Sequence, residues 1–286
     1  MFGIRAAVAG IAVFCGSLVP VACGGDTFSN EPSGATPDAG GGGSRDSGAD
    51  VAPKPGCAPG LSENAFCSNF DRSTRPESDG WVALGSGRSP DVRVINLAQV
   101  GQTATSGSNA LYVSNNDASQ AFIATSRPNA PKRFKLAFDL RMLQQGDREF
   151  VPVRVSVCPS SSPSGCYALQ LRFLTSASPS KPVAFEEATG DDETLTQCAL
   201  GGADTRVIDQ TWSRVVLDVN LTGAGAGTAG VTFGSARTCP IRPPADIVDH
   251  IHHVELRLGA VFADIDTGYQ GYQVYYDTLT FDPAPP

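Results

Sequence analysis

From Arg133 to Leu143 the chain reads RFKLAFDLRML, in which Phe134, Leu136, Phe138, Leu140 and Met142 alternate with polar or small residues. Alternation of period two places one set of side chains on one side of an extended strand and the other set on the opposite side. The same period recurs in EFVPVRVSVC through Val151, Val153, Val155 and Val157, and in CYALQLRF through Tyr167, Leu169, Leu171 and Phe173. It returns in WSRVVLDVNL through Val215, Leu217, Val219 and Leu221, and in HVELRLG through Val254, Leu256 and Leu258. No stretch carries a convincing helical stripe, and turns of Gly, Ser, Pro and Asn separate the alternating segments. Half-buried strands at this spacing predict an all-β chain of two antiparallel sheets packed face to face, with roughly 12 to 14 strands. Residues 61–286 are long enough for one such domain with a substantial core.

One strand breaks the alternation. In GYQVYYDTLTF, Val274 and Tyr276 share one phase while Leu279 and Phe281 share the other. Both pairs reach the same core only if an extra residue is inserted between them, so a β-bulge is expected near Asp277 or Thr278.

The N-terminus has a different character. Arg5 precedes an apolar run from Ala6 to Ala22, shorter than the roughly 20 residues of a membrane span and loosened by Gly10, Gly16 and Pro20. Residues 1–22 read as an export signal. The stretch LVPVACGG resembles the lipobox of bacterial lipoproteins at Val21, Ala22 and Cys23 and departs from it at Pro20; the resemblance implies that Cys23 carries a lipid anchor. Residues 23–60 are dominated by Gly, Ser, Pro, Ala and Asp and have little to bury, so they read as a disordered linker with a span on the order of 35 Å. Gly24 and Gly25 replace the aspartate that resembles an inner-membrane retention signal, which implies an outer-membrane or cell-surface address.

Beyond Cys15 and Cys23 the chain has six cysteines, Cys57, Cys67, Cys158, Cys166, Cys198 and Cys239. An even number in an exported chain points to disulfides. Cys158 and Cys166 both fall on the polar phase, at facing ends of two strands joined by PSSSPSG, so a bond closing that hairpin is expected. Order along the chain then suggests Cys57 with Cys67 and Cys198 with Cys239. No CxxC pair supports a thiolate zinc site.

The order of FCSNFD, SGSNALYVS, TWSRVVLDVNL and YQVYYDTLTFD along residues 65–282 resembles the concanavalin A-like lectin/glucanase jelly roll, especially its lipoprotein and glycan-associated members. The resemblance implies a jelly-roll sandwich and a structural calcium ion where the first and last strands meet. Asp71 and Asp277 would then supply carboxylate oxygens to it. The alternative is that both acids accept backbone N–H groups at strand ends.

Catalytic signatures of that family do not transfer. Its glucanases carry paired carboxylates in an E-x-D-x-x-E strand, because nucleophile and acid must stand about 5 Å apart. In FEEATGDDE, Glu186 and Glu187 are adjacent and point to opposite faces. The His, Tyr and Arg of the related lyases lack the lyase spacing here. Whether the chain is an enzyme stays open, with the balance towards none. LTGAGAGTAG lacks the Lys and Ser or Thr of a phosphate loop and reads as a hairpin between strands ending at Leu221 and starting at Val231. A net charge of -8 argues against nucleic acid as a partner. All three histidines, His250, His252 and His253, lie in DHIHHVELRLG. Two of them on one face suit a metal, yet no third ligand is nominated nearby, and a strand entry with His252 partly buried is the simpler reading.

The polar phases of five strands each hold an arginine: Arg141, Arg154, Arg172, Arg214 and Arg257, accompanied by Trp212, Gln170, Asp139 and Asp218. If these strands adjoin in one sheet, their solvent face is an array of guanidinium forks with an indole, suited to acidic glycans. The alternative is a ladder of cross-strand charge pairs on an ordinary wet surface. The expected protein is therefore a lipid-anchored envelope protein whose jelly roll binds glycan or another extracellular ligand. A divergent lyase or glycosidase and a purely structural component are the other readings.

Overall fold

The period-two segments are strands in the computed structural model, which describes residues 61–62, 64–72, 74–87, 91–114, 118–128, 131–144, 149–159, 165–173, 183–188, 194–200, 211–263 and 271–283. All of them belong to the unit Asp50–Pro286, the second of two into which the chain divides. In chain order the strands are β1 (Phe66–Ser68), β2 (Val82–Gly87), β3 (Asp91–Asn96), β4 (Asn109–Ser114), β5 (Ala118–Pro128), β6 (Arg133–Gln144), β7 (Phe150–Cys158) and β8 (Tyr167–Phe173). They continue with β9 (Val183–Ala188), β10 (Thr194–Ala199), β11 (Ser213–Asn220), β12 (Gly227–Phe233), β13 (Ser235–Ile241), β14 (His253–Ala263) and β15 (Gln273–Asp282). The described residues thus hold slightly more strands than the alternation alone predicts, because short edge segments such as Phe66–Ser68 carry too little pattern to be counted. The hairpin at LTGAGAGTAG is present, but its second strand starts at Gly227 rather than Val231, so part of the glycine-rich stretch is strand and not turn.

Two antiparallel sheets form the expected jelly-roll sandwich. Sheet I runs β13-β12-β11-β6-β15-β4-β3, with β1 also paired to β15; sheet II runs β10-β9-β8-β7-β14-β5-β2. One continuous core lies between them. It takes Phe134, Leu136, Phe138 and Leu140 from β6, Val153, Val155 and Val157 from β7, and Val254, Leu256 and Leu258 from β14, all essentially inaccessible. Burying side chains of this size contributes about 1.5 to 3 kcal/mol each, which is the main force holding the sheets together.

The bulge anticipated in the last strand is there. The register of β15 against β6 shifts between Asp277 and Thr280, and Thr278 adopts a φ of 47°. Val274, Tyr276, Leu279 and Phe281 consequently all reach the core.

Disulfides brace the sandwich at two levels. Cys158–Cys166 closes the β7–β8 hairpin, as its phase predicts. Cys198–Cys239 joins β10 to β13, the edge strand of sheet II to the edge strand of sheet I. Cys67 is also disulfide-bonded. Its expected partner Cys57 lies outside the described residues, as do Cys23, the export signal and the whole linker.

The chain near the sandwich's first strand is held by two acids. Asp71 accepts the amides of Ser108 and Asn109, at 2.9 Å each, and the side-chain amide of Asn69 at 3.0 Å. Asp277, wholly buried in the bulge, accepts the amides of Thr105 and Ser106 and both their hydroxyls, at 2.8 to 2.9 Å, together with the amide of Thr278 at 2.7 Å. The two carboxylates therefore grip successive residues of one segment, TSGSN. Burial pushes the Asp277 carboxyl above the usual carboxylate range, while the donors around it pull the other way.

Candidate functional site

The face of sheet II turned away from the core carries the densest polar arrangement. Strand register places Ala124, Arg257, Arg154, Gln170, Glu186 and Gln197 in a single transverse row across β5, β14, β7, β8, β9 and β10. Each strand sends its odd or even residues inward as core and presents the intervening residue here, so the row follows directly from period-two alternation. Arg154, Gln170 and Glu186 are only 9%, 3% and 2% exposed, although none of them faces the core. The centre of the row is thus shielded from solvent and not an open wet surface.

Hydrogen bonds fix the row. Glu186 accepts from the Gln170 amide at 3.1 Å and the Gln197 amide at 2.9 Å, and forms an ion pair with the Arg172 guanidinium at 2.7 Å. Arg172 also reaches Glu149 at 2.6 Å. Arg257 pairs with Glu255 two positions earlier on β14, and Arg154 is engaged as well. The β5 side of the same face is apolar. Phe122, Ala124, Val151 and Val261 form a small cluster, Arg257 lies 5.2 Å over the Phe122 ring, and Val82 and Leu84 of the neighbouring β2 are 57% and 45% exposed.

The sequence array does not form one face. Arg154, Arg172 and Arg257 lie on adjacent strands of sheet II, whereas Arg141 and Arg214 lie on β6 and β11 of sheet I. The physical reason is topological: β6 and β7 are consecutive in the chain but belong to opposite sheets, so the same polar phase points to opposite sides of the sandwich. Trp212 goes with sheet I. It packs on Tyr275 with ring centroids 6.5 Å apart and donates its indole N–H to the Thr103 carbonyl at 2.8 Å, as part of a satellite cluster with Leu97 and Tyr112. Arg214 binds Asp139 and the Thr278 carbonyl, both at 3.1 Å. Register lines up Arg93, Tyr112, Tyr275 and Arg141 across β3, β4, β15 and β6.

Two further expectations change. His250 is not on a strand: PPADIVD forms a one-turn helix, Ala245–Asp249, and His250 terminates it. His252 is exposed rather than partly buried, and only His253 enters β14, where it faces outward opposite Cys158. Among the described residues no group of three potential ligands converges. The groups closing on the carboxylates of Asp71 and Asp277 are mostly N–H and O–H donors, several of them backbone amides.

The opposite pointing of Glu186 and Glu187 holds, but the partners of Glu187 are not visible in the sequence. Glu187 points inward and is 1% exposed, accepting the Tyr167 hydroxyl at 2.5 Å, the Thr196 hydroxyl and the Arg242 amide at 2.7 Å. Alternation gives its direction, but its partners come from three distant segments. It is sealed from solvent and serves as a polar link between sheets.

No family model matches the chain, and no curated protein matches it. Among solved structures it is similar to the alginate lyase Aly36B, with 12% identity over 77% of this chain and 97% of that one at a TM-score of 0.49. It is similar to the endo-beta-1,4-glucuronan lyase of the fungus Trichoderma reesei, with 12% identity over 78% of this chain and 95% of that one at a TM-score of 0.45. It is similar also to lectin I-B4 of Griffonia simplicifolia, with 10% identity over 76% of this chain and 98% of that one at a TM-score of 0.46. The likeness is one of architecture and assigns no residue of this chain a role.

Proposed function

We propose that the sandwich is a non-catalytic glycan-binding module that engages its ligand across the outer face of sheet II. The observation that carries this reading is the polar row Arg257, Arg154, Gln170, Glu186 and Gln197 on the side away from the core, its central three residues shielded from solvent. Gln170, Glu186 and Gln197 are held by one another and Arg257 by Glu255, so a ligand would meet groups already in place, and little ordering entropy would be lost on binding. The apolar strip beside the row offers the C–H face of a sugar a surface to lie on.

Catalysis is the weaker reading on this geometry. A glycosidase needs two carboxyl groups free to act as acid and as nucleophile or base. Glu186 is engaged by two amide donors and an ion pair with Arg172, and Glu149 and Glu255 are each paired with an arginine. Among the described residues, the tyrosines are in the core or on sheet I, away from this face. The export and lipid-anchor reading rests on residues 1–23 and is supported by the oxidised cysteine pairs, which suit an extracytoplasmic compartment.

The test is a polysaccharide array probed with the oxidised protein, repeated with Arg154→Ala and Gln170→Ala. Selective binding that falls at least about tenfold in both variants, with no product released, is the expected result. Release of shortened or unsaturated oligosaccharides would replace this reading with an enzymatic one. Binding to no glycan would leave a structural or protein-binding domain, in keeping with the doubly paired Arg172.

A further inference from the structure

On the opposite side of the sandwich, the outer face of sheet I contains a groove of about 310 Å³. Register sets Lys135, Asp218, Gly230 and Thr238 in one straight row across β6, β11, β12 and β13. Val216 and Thr232 stand next to each other in the adjoining row. Gly230 is the floor.

Nothing in the backbone requires a glycine there. Gly230 is not among the residues with positive φ, and a Cβ added to it would rest 3.6 Å from the Asp218 side chain and 3.7 Å from its carbonyl oxygen, ordinary contact distances. Glycine inside a strand costs roughly 0.5 to 1 kcal/mol relative to alanine, and where the backbone does not ask for it, it marks a place kept clear for another group. The flanking charges fit the same view. Lys135 and Asp218 are direct cross-strand partners of opposite sign, yet among the described residues they form no ion pair. An ammonium donor and a carboxylate acceptor are therefore both available beside the notch, with the hydroxyls of Thr232 and Thr238 across it and Val216 as an apolar contact, while the groove's second cation, Arg237, is turned to the Ala199 carbonyl.

We propose that this groove is a saccharide subsite, separate from the face of sheet II, that accepts one neutral hexopyranose unit. A ligand here must donate to Asp218 and accept from Lys135 at once. Vicinal hydroxyls do both, and a carboxylate accepts two of them together. The pyranose ring lies over Gly230 and Val216, where a larger residue at 230 would stand in its way. The volume suits a single ring, at the low end of small-molecule sites. A ligand bearing its own carboxylate would meet Asp218 as a like charge.

The experiment uses the full chain with neutral hexaoses of the gluco, manno and galacto series and, as the contrasting arm, oligosaccharides of uronic acids. Saturation-transfer NMR and calorimetry read the binding. A neutral series is expected to bind, and Gly230→Val and Asp218→Asn are each expected to weaken it at least tenfold, while His252→Ala, at an exposed position outside both faces' rows, leaves it unchanged. Should Gly230→Val fail to fold, Lys135→Met and Asp218→Asn give the same reading without filling the groove. Absence of transfer to every neutral hexaose overturns the proposal, as does binding indifferent to these variants or stronger binding of the uronic acids at this groove. Loss of binding in Arg154→Ala alone also overturns it and instead supports the face of sheet II.

Discussion

The hydroxyl of Tyr167 and the carboxylate of Glu187 meet at 2.5 Å inside the sandwich, where Glu187 also takes the Arg242 amide. Arg242 follows β13 of sheet I, and Glu187 belongs to β9 of sheet II, so this buried acid bonds one sheet to the other. Removing one partner leaves a charge in an apolar setting, which costs more than the bond itself contributes. Tyr167→Phe is expected to lower stability by about 1 to 3 kcal/mol, read by urea denaturation. An unchanged midpoint would mean that Glu187 is satisfied without the phenol.

Alkaline pH should unfold the domain for a reason visible in three tyrosines. Burial raises the Tyr167 phenol, and the adjacent Glu187 raises it further; burial also raises Tyr275 and Tyr276. In the unfolded chain these phenols titrate near 10. Because the folded state holds their protons to higher pH, their contribution is complete below that value and is lost as pH rises through and beyond it. Ultraviolet titration of the folded protein should therefore show Tyr167 and Tyr276 silent at pH 10, with their ionisation coinciding with loss of the near-ultraviolet circular dichroism. Ionisation of all tyrosines near pH 10 with the fold intact would contradict this.

The two described disulfides should differ in worth. Cys198–Cys239 closes a separation of 41 residues and ties two sheet edges, whereas Cys158–Cys166 closes 8 residues within a hairpin that its strands already pair. Loop-closure entropy grows with loop length, so replacing both cysteines of the longer bridge by alanine should cost about 2 to 4 kcal/mol and the shorter bridge less. Thermal denaturation of the two double variants gives the order directly.

Gly107 is expected to be intolerant of change. Its φ is +54°, and a Cβ there would stand 1.8 Å from an Asp71 carboxylate oxygen. Gly107→Ala must therefore displace the acid that holds Ser108 and Asn109, at a cost above about 1 kcal/mol. Asp71→Asn keeps the shape and weakens the acceptor, and should cost less. Equal stabilities for Gly107→Ala and the parent would refute the tight approach.

What could be read from the residues was local. Alternation identified the long strands because a one-residue error would turn Phe134, Leu136 and Phe138 into the solvent, and the phase break around Asp277 revealed the bulge by the same logic. Cys158 and Cys166 were pairable because hairpin ends meet. What could not be read was which sheet a strand joins. Arg141 and Arg154 share a polar phase on consecutive strands, yet they face opposite sides of the sandwich, since that choice depends on β15 and β14 far along the chain. The notch at Gly230 was hidden for a similar reason: a glycine in a strand becomes a groove only once Lys135 and Thr238 stand beside it.

The pairing of Phe66 with Phe281, with Ser62 donating its amide to Asp282, puts the start of the sandwich against its end. In space the domain is a closed ring, although the chain is a line. A short link between these two points would leave every strand where it is, and the break could then be moved to another turn without altering a single neighbour in either sheet. The sandwich is specified by who lies beside whom, and only incidentally by which strand is made first.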